Sequence, residues 1–115
     1  MKRGIYSATC SILNDDYSLN VDATINHAAS SISYGLHGVI FFGSTGQSQL
    51  IDLNSKKNLI SKAANHKLRK QFFFGTGNNS LNESIDLIKY GMEYEFKDWL
   101  IMPAAYYKGL SLIHI

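Results

Sequence analysis

Short apolar runs alternate with helical patterns along the 115 residues of this chain. Four such runs are expected to form β-strands, at residues 4–10, 38–42, 71–74 and 98–102. The second, third and fourth runs are nearly continuously apolar and rich in aromatic or β-branched residues. This pattern is typical of parallel strands that are buried on both faces of a sheet.

Three amphipathic helices are predicted between these strands. Apolar residues repeat with helical spacing at Ile25, Ala28, Ala29 and Ile32, then at Leu59, Ile60 and Ala63, and finally at Leu81, Ile85, Ile88 and Met92. Gly35 is well placed to end the first helix in a left-handed turn. The second pattern is weaker, with lysines on the side opposite its apolar residues. Ser80 followed by Glu83 predicts a capping box at the start of the third helix.

The resulting order, β-α-β-α-β-α-β, predicts right-handed crossovers and a parallel sheet. Two α/β architectures fit this order: an open, doubly wound sheet, or part of a (β/α)8 barrel. Periodicity does not separate them. In both architectures, functional residues belong at the C-terminal ends of the strands.

A glycine-rich segment, Gly43-Ser44-Thr45-Gly46-Gln47, follows the second strand. Its glycines allow a tight turn, and its hydroxyl and backbone N–H groups could hold a carboxylate or a phosphate. It is not a Walker A loop, because the Gly-Lys-Ser/Thr sequence is absent. On spacing alone, a plain βα turn is the better interpretation.

The ends of the other two apolar strands are also distinctive. Residues 75–80 read Gly-Thr-Gly-Asn-Asn-Ser, which predicts a structural turn and helix cap because a dinucleotide fingerprint would need glycine at position 80. Residues 102–109 contain the pair Tyr106-Tyr107. Tyrosine hydroxyls relay protons when partners align them, but chemistry alone favours a packing or interface role for these rings.

Composition narrows the classes of function. The net charge is +2 and the basic residues are scattered apart from a short cluster at 67–70, so no nucleic-acid surface is predicted. No apolar run approaches the roughly 20 residues of a membrane span. The lone cysteine, Cys10, excludes an internal disulfide and is consistent with a reducing, cytoplasmic setting. The four histidines lack the spacing of a metal site.

Together, the strand ends resemble one family, that of dihydrodipicolinate synthase and N-acetylneuraminate lyase, the pyruvate-dependent class I aldolases. Gly-Ser-Thr-Gly-Gln is similar to the family's Gly-Thr/Ser-Thr-Gly-Glu signature. Gly-Thr-Gly-Asn-Asn-Ser is similar to its Gly-Thr-Gly-x-Asn-x-Thr segment, and Pro-Ala-Ala-Tyr-Tyr-Lys-Gly to its Pro-Pro-Phe-Tyr-Tyr-Lys-Gly segment. The resemblance covers about residues 4–109.

The resemblance implies a (β/α)8 barrel that assembles as a homotetramer of tight dimers and needs no cofactor. A lysine on the sixth strand would form a Schiff base with pyruvate, and the resulting enamine would add to an aldehyde or arise in the reverse cleavage of a keto acid. The synthase that joins pyruvate to aspartate semialdehyde is the leading member. Sialic-acid lyase and keto-sugar-acid aldolases are the alternatives.

By matching position, the resemblance assigns roles to five residues. Ser44 would relay protons. Thr45 would bind the pyruvate carboxylate through its backbone N–H and hydroxyl, next to Gly46. Tyr107 would reach into the neighbouring subunit's site and complete the relay, and Tyr106 would lie near that dimer contact. The family's usual glutamate after the second glycine is replaced here by glutamine, which removes a charge.

The chain is expected to be an N-terminal fragment, inactive alone, because a barrel takes about 250 residues. Residues 1–109 would supply strands one to four. The family's Tyr-Asn-x-Pro segment and its Schiff-base lysine have no counterpart here, and that lysine is predicted near position 160, at roughly 31 residues per βα unit. Residues 110–115, Leu-Ser-Leu-Ile-His-Ile, resemble a translated transposon-end sequencing adaptor and are expected to be a non-native tail. A non-catalytic α/β anion-binding domain and an inactive remnant are the competing hypotheses.

Overall fold

Four parallel strands and three α-helices alternate along the computed structural model, which describes residues 3–78 and 80–101. The strands are β1 (Tyr6–Ala8), β2 (Gly38–Phe41), β3 (Phe72–Gly75) and β4 (Trp99–Leu100), and the helices are α1 (Val21–Ser33), α2 (Leu53–Ala63) and α3 (Leu81–Glu93). Two short 3-10 turns precede α2 and β3, at Ser48–Leu50 and Arg69–Gln71. The predicted order of elements is confirmed.

The order of the strands decides between the two architectures. The strands lie in the order β1-β2-β3-β4, every neighbouring pair is parallel, and each helix packs beside the next one in the chain. A doubly wound sheet reverses its strand order and carries helices on both faces. A consecutive order with one layer of neighbouring helices is the arrangement of a (β/α)8 barrel. The described strands therefore form the N-terminal half of a barrel.

The core lies between the sheet and the helix layer. Alternate strand residues point to opposite faces, and those on the helix side are almost fully buried: Val39, Phe41, Phe72 and Phe74. The Phe41 and Phe74 rings stack with their centroids 5.3 Å apart. On the other face, Ile40 and Phe73 are only half-buried. Burial on both faces, as predicted, is thus complete only on the helix side in the part of the chain that the structure describes.

Capping groups confirm two predicted helix boundaries, the end of α1 and the start of α3, and show a cap on α2 that the sequence analysis does not predict. Gly35 has φ +108°, a left-handed conformation that follows the last turn of α1. The Ser80 hydroxyl accepts a hydrogen bond from the Glu83 N–H at 3.3 Å, at the start of α3. The carboxylate of Asp52 accepts one from the Ser55 N–H and so caps α2.

The predicted apolar stripe of α3 is not the face that packs. Of its four residues, Leu81, Ile85 and Met92 are exposed and Ile88 is half-buried. The helix instead buries Ser84, Leu87 and Gly91. A Cβ at Gly91 would overlap the Trp99 indole, so the small residue allows the ring of β4 to lie directly on the helix backbone. Close approach through small side chains, which a hydrophobicity pattern does not register, decides the orientation of α3.

The prediction that lysines lie opposite the apolar side of α2 is wrong for Lys56. This residue is 0% exposed and lies on the same face as Leu59, Ile60 and Ala63. Lys56 precedes Leu59 by three residues, Ile60 by four and Ala63 by seven, and this spacing places all four residues on one face of a helix. The long side chain crosses the core and reaches the loop that follows β3.

Candidate functional site

The loops that follow β1, β2 and β3 meet at the C-terminal rim of the sheet. The Ser11 hydroxyl donates a hydrogen bond to the Gly46 carbonyl oxygen at 2.7 Å, which joins the first loop to the second. The Thr76 N–H donates to the Leu100 carbonyl oxygen at 3.0 Å, which joins the third strand end to the fourth. Residues that are far apart in sequence therefore share one rim.

The glycine-rich loop after β2 folds back on itself. The Gln47 N–H donates to the Ser44 carbonyl oxygen at 3.0 Å, and the Ser48 N–H donates to that of Gly43 at 3.4 Å. Gln47 adopts a left-handed conformation with φ +53°. This turn leaves Ser44 and Thr45 exposed on the rim. The two hydroxyl groups predicted to act on a substrate are therefore accessible.

Gly46 is buried where this loop packs against the end of β1. A Cβ at this position would lie 3.0 Å from the Thr9 carbonyl oxygen and 3.3 Å from the Phe42 nitrogen. A side chain would thus push the loop away from the end of β1. The second glycine of the motif is therefore required by close packing of two backbones, which brings the loop that carries Thr45 against the end of β1.

Four buried polar atoms at the same rim have no hydrogen-bond partner within the described residues. They are Thr9 Oγ1, Ser48 Oγ, Thr76 Oγ1 and Asn78 Nδ2. Nearly all buried polar groups in proteins are paired, so a cluster of unpaired ones is typical of a place where further polar groups are accommodated. The sequence prediction missed all four residues. Thr9 directly follows β1 and Thr76 directly follows β3, so their positions at strand ends could have identified them from the sequence.

A cavity of about 330 Å³ opens on the glycine-rich loop. It is lined by Ser44, Gln47, Ser48, Gln49 and Leu50. Its polar lining comes from hydroxyl and amide groups and carries no formal charge. The loop therefore contributes hydrogen-bonding capacity to the site.

Lys56 brings a positive charge beneath this rim. Its Nζ donates hydrogen bonds to the Thr76 carbonyl oxygen and to Asn78 Oδ1, each at 2.8 Å, and lies 5.8 Å from the centre of the Phe42 ring. Burial lowers the pKa of Lys56 to about 8, and the negative charges of Glu83 and Asp52 oppose that shift. The sequence prediction did not nominate this residue, although its register with Leu59 and Ile60 was visible.

The remaining predicted site residues, Tyr106 and Tyr107, lie outside the described residues, as does the expected tail at 110–115. Within residues 3–78 and 80–101, no group of three or more His, Cys, Asp or Glu side chains is arranged to hold a metal ion. In the same ranges, no helix has both the length and the apolar character needed to cross a membrane.

Comparison with protein families gives a match over almost the whole chain. The model of the dihydrodipicolinate synthetase family matches residues 1–111. A curated relative, the probable mitochondrial 4-hydroxy-2-oxoglutarate aldolase of Emericella nidulans, is 29% identical over 113 residues, which are 93% of this chain and 36% of that protein. The 4-hydroxy-tetrahydrodipicolinate synthase of Chlamydia caviae is 31% identical over 72 residues, 63% of this chain and 25% of that protein.

Solved structures agree with the barrel architecture. YagE, a prophage protein of E. coli K12 that belongs to the dihydrodipicolinic acid synthase family, was crystallised in complex with pyruvate. It superposes on 96% of this chain with a TM-score of 0.82 and 24% sequence identity, and the match covers 38% of YagE. The chain thus spans little more than a third of the length of such relatives.

Proposed function

The chain belongs to the dihydrodipicolinate synthetase family, and we propose that the full-length protein is a carbon–carbon lyase or synthase that acts through a Schiff base with pyruvate. The observation that carries this proposal is the loop after β2. Its two hydroxyl residues, Ser44 and Thr45, are exposed at the C-terminal rim, where barrel enzymes have their active sites. Gly46 packs the same loop against the end of β1.

In the proposed mechanism, each residue of the loop has a separate task. The Thr45 backbone N–H and hydroxyl bind the pyruvate carboxylate. The Ser44 hydroxyl passes the protons that imine formation and loss of water require. Tyr107 extends this relay from a neighbouring subunit, with Tyr106 near the contact between the two subunits, in a homotetramer. The nucleophile is a lysine of the sixth strand, near position 160.

We infer that the preferred reaction joins pyruvate to aspartate semialdehyde, as in 4-hydroxy-tetrahydrodipicolinate synthase. A second candidate, cleavage of a 4-hydroxy-2-keto acid to pyruvate and an aldehyde, is favoured by the aldolase of Emericella nidulans, which is similar over 93% of this chain. Both reactions pass through the same pyruvate enamine. They differ in how the second carbonyl compound is held, a task we assign to residues beyond the described part of the chain.

Three further features belong to the same proposal. Residues 1–109 supply the first four strands of the barrel, and residues 110–115 are a non-native tail. The protein works in the cytoplasm, where its single cysteine stays reduced. Sequencing the gene across the codon for Gly109 tests the tail: the proposal expects a polar turn and a fourth helix there, and a native continuation through Leu-Ser-Leu-Ile-His-Ile would contradict it.

The test of function uses the full-length protein and a panel of substrates. Pyruvate release is followed with 4-hydroxy-2-oxoglutarate, N-acetylneuraminate and a 2-keto-3-deoxy sugar acid, and pyruvate consumption is followed with aspartate semialdehyde. We expect aspartate semialdehyde to be the preferred partner, and Ser44→Ala to slow the reaction. Folded protein that neither releases nor consumes pyruvate with any of these compounds would refute the proposal.

A further inference from the structure

Lys56 is a buried cation that the proposed mechanism does not use. It lies on α2, and its ammonium group reaches across the core to the loop between β3 and α3. There it donates one hydrogen bond to the Thr76 carbonyl oxygen and another to Asn78 Oδ1, both at 2.8 Å. Charge-assisted hydrogen bonds of this length are about twice as strong as neutral ones. They tie α2 to the loop after β3.

The charged groups around Lys56 come from two helices. Asp52 is the N-cap residue of α2, and Glu83 lies in the first turn of α3. Neither carboxylate hydrogen-bonds Lys56 Nζ: its two partners are the carbonyl of Thr76 and the amide of Asn78. The ammonium therefore acts through uncharged groups of one loop.

The loop after β3 is wedged against the loop after β2. Gly77 is left-handed, with φ +59°, and a Cβ there would overlap the Ser48 side chain. A Cβ at Gly75 would lie 2.7 Å from the Phe42 carbonyl oxygen. Ser48 in turn donates its backbone N–H to Gly43, at the start of the glycine-rich loop. A displacement of residues 76–78 would therefore be transmitted through Ser48 to Ser44 and Thr45.

We propose that Lys56 is a positioning residue for pyruvate binding: by holding Thr76 and Asn78, it keeps Gly77 against Ser48 and so fixes the loop that carries Thr45. The inference rests on the proposed function, since it assigns Lys56 to the carboxylate-binding half of that site. Lys56 itself does not touch the substrate. It acts through a chain of contacts of which every link lies within the described residues.

The first test measures steady-state kinetics of the full-length protein with Lys56→Met, which keeps the apolar stem and removes the donors. We expect the KM for pyruvate to rise about tenfold, the effect of losing one to two kcal/mol of loop fixation, while the KM for the second substrate stays unchanged. Lys56→Arg, which keeps donors and charge, should restore much of the affinity. Lys57→Met is the matched control, because Lys57 pairs with Asp86 on the helix surface.

A merely structural role gives a different result. Fewer folded molecules would lower the apparent kcat and leave the KM for pyruvate unchanged, and that outcome would overturn the proposal. If Lys56→Met does not fold, the Asn78→Ala variant tests the proposal instead. This substitution removes one of the two hydrogen-bond acceptors of Lys56 and leaves the lysine in place. We expect a smaller rise in KM for this variant, and an unchanged value would also overturn the proposal.

The second test does not depend on pyruvate chemistry, so it separates failure of this inference from failure of the proposed function. Hydrogen exchange is measured at the amides of Thr76 and Ser48, both of which are hydrogen-bonded. In Lys56→Met or Asn78→Ala we expect both amides to exchange about tenfold faster, with no change in Lys57→Met. Unchanged exchange at both amides would refute the positioning role even in a protein that shows no pyruvate activity.

Discussion

Replacement of Lys56 by methionine should change how stability depends on pH. The folded-state pKa of Lys56 is about 8, below the ordinary value of 10.5, because the ammonium is buried. Between these two values the unfolded chain binds more protons than the folded one, so the contribution of this group to stability rises with pH. Below about pH 8 the buried charge opposes folding. Above that pH, the neutral amine is the form that the fold accommodates.

The magnitude follows from the size of the shift. One unit of pKa corresponds to about 1.4 kcal/mol. Deprotonation of Lys56 should therefore raise the free energy of unfolding by about 2 to 3 kcal/mol between pH 7 and pH 10. Lys56→Met should lack this gain, whereas Lys57→Met should keep it.

The assay is urea unfolding of the full-length wild type and both variants at matched pH values. Other groups titrate in this range, but they are common to all three proteins and cancel in the difference. We expect the free energy of unfolding of wild type to rise relative to Lys56→Met as the pH increases. Parallel curves for these two proteins would show that the buried lysine keeps its ordinary pKa, and the reasoning from burial would be wrong.

Three other predictions concern the loops and the chain as a whole. Gly46→Ala should raise the KM for pyruvate and destabilise the protein by about 1–3 kcal/mol, because the new Cβ would lie 3.0 Å from the Thr9 carbonyl oxygen. Gly43→Ala is the control, since a Cβ at that position would meet no atom nearer than Leu100 Cδ2 at 4.0 Å. Equal effects of the two substitutions on kinetics and on the melting temperature would contradict the packing argument. Ser44→Ala should lower kcat about a hundredfold with little change in the KM for pyruvate, whereas Thr45→Val should mainly raise that KM; the reverse pattern in steady-state kinetics would exchange their roles. The 115-residue chain alone should not be a stable monomer, because half a barrel lacks four βα units and leaves an unpaired sheet edge. A sharp, reversible thermal transition at low concentration would contradict this.

The elements that could be predicted from sequence are those fixed by local pattern. The aromatic run at Phe72–Gly75 and the cap at Ser80 confirm this, because strand propensity and capping act over a few neighbouring residues. The choice between barrel and open sheet depended on strand order, which periodicity does not encode. The resemblance at the three strand ends supplied that information, and the family match and barrel structure confirm it.

The errors share a physical cause, which is packing against distant residues. The apolar stripe of α3 was visible, yet Gly91 and Ser84 decide which face packs because Trp99 fits against a glycine. The sequence pattern predicts that the lysines of α2 lie opposite its apolar residues, and Lys56 does not. A lysine in the core requires acceptors that lie 20 and 22 residues away in sequence. The candidate site was predicted at Ser44, Thr45 and Gly46, but not the polar atoms beneath it.

The most direct measurement is trapping of the imine in full-length protein. Pyruvate is added and the mixture is reduced with borohydride. The mass of the intact protein is measured by mass spectrometry, and the protein is then digested to locate the modified residue. We predict a mass increase of one reduced pyruvate group, on a lysine near position 160, and none on Lys56. Folded protein whose mass is unchanged by this treatment would contradict the Schiff-base mechanism and leave only the barrel fold.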